Sequence, residues 1–248
     1  MTSVIGNLRQ VQSRIAAACA AAGRTVDELT LLAVSKTQPA AAVREALAAG
    51  QQAFGENYVQ EALDKIQALA EVRAQLQWHL IGPLQSNKTR PVAEAFDWVQ
   101  SVDRLKIAQR LAEQRPAGLA PLQLCLQVNI SGEASKSGVL PAELPALAAA
   151  VAALPADKVQ LRGLMAIPEP VDDLAAQRAP HRALRALMAA VNAQCGLALD
   201  TLSMGMSADL EAAVAEGATL LRVGTAIFGS RPPVPHTEPP ACKWGAVG

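Results

Sequence analysis

The sequence predicts an α/β fold, a single (β/α)8 TIM-type barrel with an additional N-terminal helix. Two observations carry this expectation. Eight short apolar runs recur near residues 29–35, 52–54, 76–81, 97–102, 121–130, 159–167, 200–204 and 219–223. Ala-rich, helix-favouring segments fall between them, around 39–49, 57–72, 86–95, 103–115, 141–154, 180–194 and 207–216. Such alternation over 248 residues matches eight parallel strands joined by crossover helices. A doubly wound open sheet is the competing layout, because periodicity fixes alternation and not closure.

Ahead of the first strand, Val4, Leu8, Val11 and Ile15 recur at helical spacing and form one apolar stripe, which Gly23 closes. This helix is expected to cover the bottom of the barrel. Asn7, Arg9, Gln10, Gln12 and Arg14 interrupt the apolar core that a secretory signal needs. Residues 1–231 are read as the barrel with its N-terminal helix, and residues 232–248 as a Pro-rich tail. Pro232-Pro233-Val234-Pro235 and Pro239-Pro240 cannot sustain a helix.

Composition narrows the function classes. Hydrophobic residues make up 51% of the chain and 22 basic residues balance 22 acidic ones, which predicts a soluble protein with no broad electrostatic claim on nucleic acid or membrane. Aromatics at 3% are too few for a base-stacking platform. Cys19, Cys125, Cys195 and Cys242 form no CxxC pair, and His79, His181 and His236 lie far apart. Neither a disulfide framework nor a zinc site is indicated, and a cytoplasmic location is expected.

Lys36 sits where the apolar run Leu31-Leu32-Ala33-Val34 ends, and it is the only lysine among the first 64 residues. A primary amine at the C-terminal end of a buried strand is poised to attack a carbonyl, because desolvation favours its neutral form. Taken alone, it is more simply read as a side chain reaching solvent at a strand end.

Barrels gather reactive groups at their C-terminal strand ends. The second strand ends in Gly55-Glu56-Asn57, the third in His79 and Ile81-Gly82-Pro83, and the fifth in Asn129 with Ser131-Gly132. The seventh ends in Ser203-Met204-Gly205-Met206-Ser207, and the eighth in Arg222-Val223-Gly224-Thr225. Ser207 and Thr225 are expected to open the following helices, where unpaired amides suit a phosphate; each is also an ordinary N-cap residue. Together with Lys36 on the neighbouring first strand, the two loops point to a phosphorylated carbonyl ligand. Arg222 is expected to face the barrel mouth, where a pyridine nitrogen or a barrel carboxylate would accept its hydrogen bond. Asn57 can cap its helix or contact the ligand, and His79 can support that network or simply sit in the core. Met165 and Met204 read as apolar walls.

The chain resembles the pyridoxal phosphate homeostasis protein family, whose barrel is similar to the N-terminal domain of alanine racemase. The resemblance rests on LLAVSKT at Leu31–Thr37, FGENYVQE at Phe54–Glu61, WHLIGPLQSNK at Trp78–Lys88 and VNISGEASKSG at Val128–Gly138. GLM at Gly163–Met165, LSMGMSADLEAA at Leu202–Ala213 and RVGTAIFGSR at Arg222–Arg231 complete it. It implies pyridoxal 5′-phosphate held as an internal aldimine on Lys36. It further implies phosphate contacts from Ser207, Gly224 and Thr225, Arg222 facing the pyridine nitrogen, and Asn57 nearby. Lys136 is the rival lysine. The stretch Ile167-Pro168-Glu169-Pro170 is richer in proline than the family pattern.

Arg222 stays protonated, so it would leave the ring nitrogen unprotonated and the cofactor a weak electron sink. Racemization in alanine racemase also uses a tyrosine from a second domain. Here the single tyrosine, Tyr58, follows Asn57. The expected function is therefore non-catalytic binding of pyridoxal phosphate and control of its free level, with effects on amino-acid and keto-acid balance. PLP-dependent apo-enzymes are the expected partners, and the missing second domain favours a monomer. A PLP-dependent amino-acid racemase is the alternative, and a sugar-phosphate aldolase using Lys36 a more distant one.

Overall fold

The computed structural model describes residues 3–132 and 137–229. Eight strands close in sequence order into a parallel barrel: β1 (Thr30–Val34), β2 (Ala53–Glu56), β3 (Gln77–Leu80), β4 (Trp98–Val102), β5 (Leu122–Gln127), β6 (Val159–Met165), β7 (Thr201–Ser203) and β8 (Leu220–Val223). The expected strands are all present, including the short second one, and the open-sheet alternative is excluded by closure. β8 lies parallel to β1 with Thr30 opposite Leu220 and Ala33 opposite Val223.

Seven of the helices follow strands one to seven: α2 (Ala40–Ala48), α3 (Val59–Ala68), α4 (Thr89–Ala95), α5 (Leu105–Gln114), α6 (Leu144–Ala152), α7 (Leu174–Cys195) and α8 (Leu210–Ala215). The helix after β8, α9 (Thr225–Phe228), is a single turn. That leaves the eighth outer position open, and the N-terminal helix α1 (Val4–Ala21) fills it. Its buried stripe is Leu8, Val11, Ile15, Ala18 and Cys19, and it packs on α2, α8 and α9. Asn7 Nδ2 donates to the Ile227 carbonyl at 2.9 Å, Arg14 pairs with Glu211 at 2.9 Å, and Arg24 donates to the Val214 carbonyl at 3.0 Å. The helix therefore packs on the outer wall, which corrects the expectation that it covers the barrel bottom. Its apolar stripe matches a side wall because only there do helices flank it on two sides.

Two helix starts also differ from expectation. α7 begins at Leu174 rather than near Pro180, because the Asp173 side chain accepts from the Ala176 amide at 2.7 Å and caps it. Pro180 then lies inside the helix. α8 begins at Leu210, with residues 207–209 in a turn before it.

Strand alternation divides the apolar residues into two shells. The large outer core lies between sheet and helices and includes Ala33, Phe54, Trp78, Leu80, Val99, Leu124, Leu164, Leu202 and Leu221. Inside the barrel are two small apolar groups, Leu32, Val34, Ala53, Ile81 and Leu220 on one side and Trp98, Cys125 and Met165 on the other. Met165 thus forms an interior wall, while Met204 belongs to the outer core. The strands pass very close at Gly163, where an added Cβ would lie 1.8 Å from the Thr201 carbonyl oxygen. Gly163→Ala should therefore force β6 and β7 apart and cost about 3 kcal/mol or more, measured as a fall in denaturant midpoint; an unchanged midpoint would show that the close approach is not needed.

Candidate active site at the C-terminal mouth

The end of β1 is held by charge on its outer side. Ser35 Oγ donates to Glu56 Oε1 at 2.6 Å, and Lys65 Nζ, from α3, donates to the same oxygen at 2.6 Å and to the Ser35 carbonyl at 2.8 Å. Lys65 also reaches Glu61 Oε1 at 3.2 Å, and that oxygen accepts from the Thr37 amide at 2.6 Å. Thr37 adopts φ 62°, in the left-handed region. The turn Ser35-Lys36-Thr37 is thus clamped by a buried two-carboxylate, one-ammonium cluster. Burial raises the Glu56 carboxyl, against the opposing pull of Lys65 and Ser35. Neither Lys65 nor Glu61 stands out in the sequence, although their i, i+4 spacing on a helix is a signal for a pair.

Across the seam between β1 and β8, Lys36, Gly224 and Thr225 line one small cavity of about 40 Å³ with Val34, Gln38, Phe228 and Gly229. Gly224 passes so close to β1 that a Cβ would meet the Val34 carbonyl oxygen at 3.1 Å. Thr225 is exposed at the first position of α9, where helix geometry leaves its amide and that of Ala226 without intrahelical partners. Asn57 lines a second cavity at the C-terminal strand ends, of about 230 Å³, with Gly82, Asn129 and Ser131. It does not cap α3, and its Oδ1 is buried with no hydrogen-bond partner. Thr37 Oγ1 is likewise buried and unmet.

Ser207 is on the neighbouring β7–α8 loop but does not open α8. Asp209 stands at the N-cap without a side-chain cap bond; its Oδ1 accepts from the Met206 amide at 2.6 Å and its Oδ2 faces His181 Nε2 at 2.9 Å. These bonds pin the turn ahead of the helix. Ser207 also anchors α1, its carbonyl accepting from Arg14 Nη2 at 3.1 Å. Lys136 and Arg231 lie outside the described residues, as does the Pro-rich tail.

Arg222 is buried inside the barrel beneath this mouth. Nη1 donates to Ser203 Oγ at 2.7 Å and Nη2 to the Ala166 carbonyl at 2.8 Å. Among the described residues it forms no direct ion pair, so the expected contact with a barrel carboxylate is not made, and Asp209 acts on it only through space. Burial lowers its pKa to about 10, which leaves it cationic at neutral pH. His79 is fully buried, stacked on Trp98 at 5.1 Å with an interplanar angle of 8°, and burial pushes its pKa down to about 3.

Size does not select the site. A much larger cavity, about 920 Å³, opens at the opposite end of the barrel and includes Arg73, Arg115 and Arg162. Arg73 is bound to Asp97, Arg115 to backbone carbonyls and Arg162 to Asp200. Those cations are spent on structure, whereas the C-terminal mouth keeps unmet polar atoms beside a lysine. Among the described residues, no group of three or more His, Cys, Asp or Glu side chains is placed to hold a metal ion, and no helix is long and apolar enough to cross a membrane.

The family model described as alanine racemase, N-terminal domain, matches residues 7–232. A Pseudomonas aeruginosa protein named pyridoxal phosphate homeostasis protein is 63% identical over 93% of this chain and 97% of its own length. A protein of the same name from Escherichia coli K12 is 54% identical over 93% of this chain and 98% of its own. PipY of Synechococcus elongatus, solved with PLP bound, is 41% identical with a TM-score of 0.80, covering 92% of this chain and 100% of that one. Alanine racemase from Corynebacterium glutamicum is 17% identical with a TM-score of 0.64, covering 92% of this chain and 62% of that one, and shows the shared fold alone.

Two outcomes follow from the buried charges. Lys65→Met strands Glu56 without its cation and should cost about 3–5 kcal/mol, read as a lower denaturant midpoint; a neutral result would mean the cluster does not hold the turn. His79 has a folded pKa of about 3 against an ordinary 6.5. The unfolded chain therefore binds the extra proton between those values, so stability is fully present above pH 6.5 and is lost as pH falls towards 3. The loss from this group approaches about 1.4 kcal/mol per pH unit. Urea melts of His79→Phe should show a shallower acid decline than the parent, and parallel declines would refute the assignment.

Proposed function

Because the chain belongs to the pyridoxal phosphate homeostasis protein family, built on the alanine racemase N-terminal domain, we propose that it binds pyridoxal 5′-phosphate at the C-terminal mouth and controls the free level of that cofactor. The observation that carries this reading is the meeting of Lys36, Gly224 and Thr225 on one cavity. The buried, unmet oxygens of Asn57 and Thr37 beside it fit a polar ligand of this kind. When bound, the cofactor supplies an aldehyde that condenses with a primary amine, with loss of water.

Lys36 presents that amine from a turn whose shape is fixed by Glu61 and Lys65. The Thr225 hydroxyl and the amides at the start of α9 would hold the phosphate oxygens, and Gly224 would let the backbone approach them. Ser207 adds a hydroxyl from the adjoining loop. Arg222 would donate to the pyridine nitrogen and keep its own proton, which would leave that nitrogen unprotonated and limit electron withdrawal from a bound amino acid. Asn57 would offer its buried, unpartnered Oδ1 to the ligand. A site of this kind retains a reactive aldehyde better than it drives chemistry on it. The same reading puts the protein in the cytoplasm, where PLP-dependent apo-enzymes draw on the released cofactor and amino-acid and keto-acid balance responds.

Titration with pyridoxal phosphate, followed by visible absorbance, tests the proposal. The parent protein should develop a coloured band that Lys36→Ala lacks while its melting temperature is unchanged. Thr225→Val should keep the band and bind about tenfold more weakly, the loss of one charge-assisted hydrogen bond. A full band in Lys36→Ala would overturn the assignment. Solvent deuterium entering the α-carbon of an amino acid, with loss of its optical activity, would replace the carrier reading with a racemase.

A further inference from the structure

The barrel interior holds a continuous hydrogen-bonded chain that the cofactor contacts do not account for. From Arg222 Nη1 it passes to Ser203 Oγ at 2.7 Å, then to Gln100 Oε1 at 2.5 Å. Gln100 Nε2 meets His79 Nδ1 at 2.8 Å, and His79 Nε2 meets Gln77 Oε1 at 3.0 Å. Ser203, Gln100 and His79 are buried, and Gln77 is exposed at the opposite mouth. Alternate positions of β3, β4, β7 and β8 supply these residues, so the chain crosses the barrel from one end to the other.

Its direction is fixed at the top. A guanidinium can only donate, so Ser203 accepts from Arg222 and must send its own proton to Gln100 Oε1. The Gln100 amide nitrogen then faces His79, so Nδ1 accepts and Nε2 carries the ring proton. That proton goes to Gln77. Every donor in the chain thus points away from Arg222, and each bond polarises the next. Stacking on Trp98 fixes the imidazole plane. Arg222 is a buried cation whose hydrogen bonds go to neutral groups; the Asp209 carboxylate acts on it only through space, so this chain of neutral dipoles is what holds the guanidinium by contact.

We propose that Ser203, Gln100 and His79 are positioning residues that fix the Arg222 guanidinium and so set both the affinity for the pyridine ring and its protonation state. The inference rests on the cofactor reading above. A carboxylate would hold an arginine as firmly, but it would neutralise the charge that the ring nitrogen is meant to meet. A directed chain of neutral groups orients the arginine and leaves its charge available.

The test uses the full chain and pyridoxal phosphate itself, with Ser203→Ala, Gln100→Met and His79→Phe. Each variant should still give the borohydride-fixed adduct on Lys36, bind the cofactor about tenfold more weakly, and show a changed ratio of the visible and near-ultraviolet bands. A role in packing alone would not move that ratio. Ser203→Ala removes one oxygen, and it remains the readable variant if Gln100→Met fails to fold. In the cofactor-free protein, nitrogen-15 NMR should find His79 as the Nε2–H tautomer, and Ser203→Ala should mix the tautomers. Unchanged affinity and band ratio in folded Ser203→Ala, or an Nδ1–H tautomer in the parent, would overturn the proposal. Absence of the Lys36 adduct from the parent protein would instead fail the cofactor reading, and the tautomer measurement would still judge the order of the chain.

Discussion

The closure of β8 onto β1 is the constraint on which the rest depends. Parallel pairing from Thr30–Leu220 to Ala33–Val223 brings the end of the chain's last strand beside the end of its first. Only then do Lys36 and the Gly224-Thr225 loop share a cavity. The alternation of a strand does the remaining sorting. On β1, Leu32 and Val34 face the interior while Ala33 faces the outer core. Ser35 turns outward to Glu56 and Lys65, which leaves Lys36 at the mouth. One register slip would reverse these assignments and point the lysine into the helices.

Stability and chemistry are placed in separate shells. The outer core is extensive and almost wholly apolar, so it can supply the burial free energy that a domain needs. The interior is broken into two small apolar groups by Arg222, Ser203, Gln100 and His79. Buried polar groups of this kind are tolerated because each has partners, and a partly satisfied chain would be worse than an apolar one. The unmet atoms are Asn57 Oδ1 and Thr37 Oγ1 at the mouth, together with a few elsewhere such as Glu56 Oε2 and Trp78 Nε1. Their position beside Lys36 is what distinguishes this end of the barrel from the larger cavity at the other.

Much of the fold was legible because apolar runs and Ala-rich segments alternate cleanly. The strand ends also advertised Lys36, Asn57, Arg222, Gly224 and Thr225 through glycines and isolated polar residues. The misplacements have local causes. Pro180 reads as a helix start, yet Asp173 supplies the stronger signal, a side-chain cap. Ser207 resembles a cap, but Asp209 holds the turn. The position of α1 depends on the brevity of α9, which apolar periodicity does not reveal. Gln100 and Ser203 carry no motif, and their link arises only when β4 and β7 face each other across a closed barrel. Lys65 reads as an ordinary amphipathic-helix lysine until Glu56 is seen buried beside it.

The central claim is that Lys36 is the covalent anchor for pyridoxal phosphate. It is tested most directly by loading the full chain with the cofactor, reducing it with borohydride and mapping the modified peptide by mass. One pyridoxyl group is expected, on the peptide carrying Lys36. A label on Lys136 or another lysine with Lys36 unmodified, or no label at all, would contradict it.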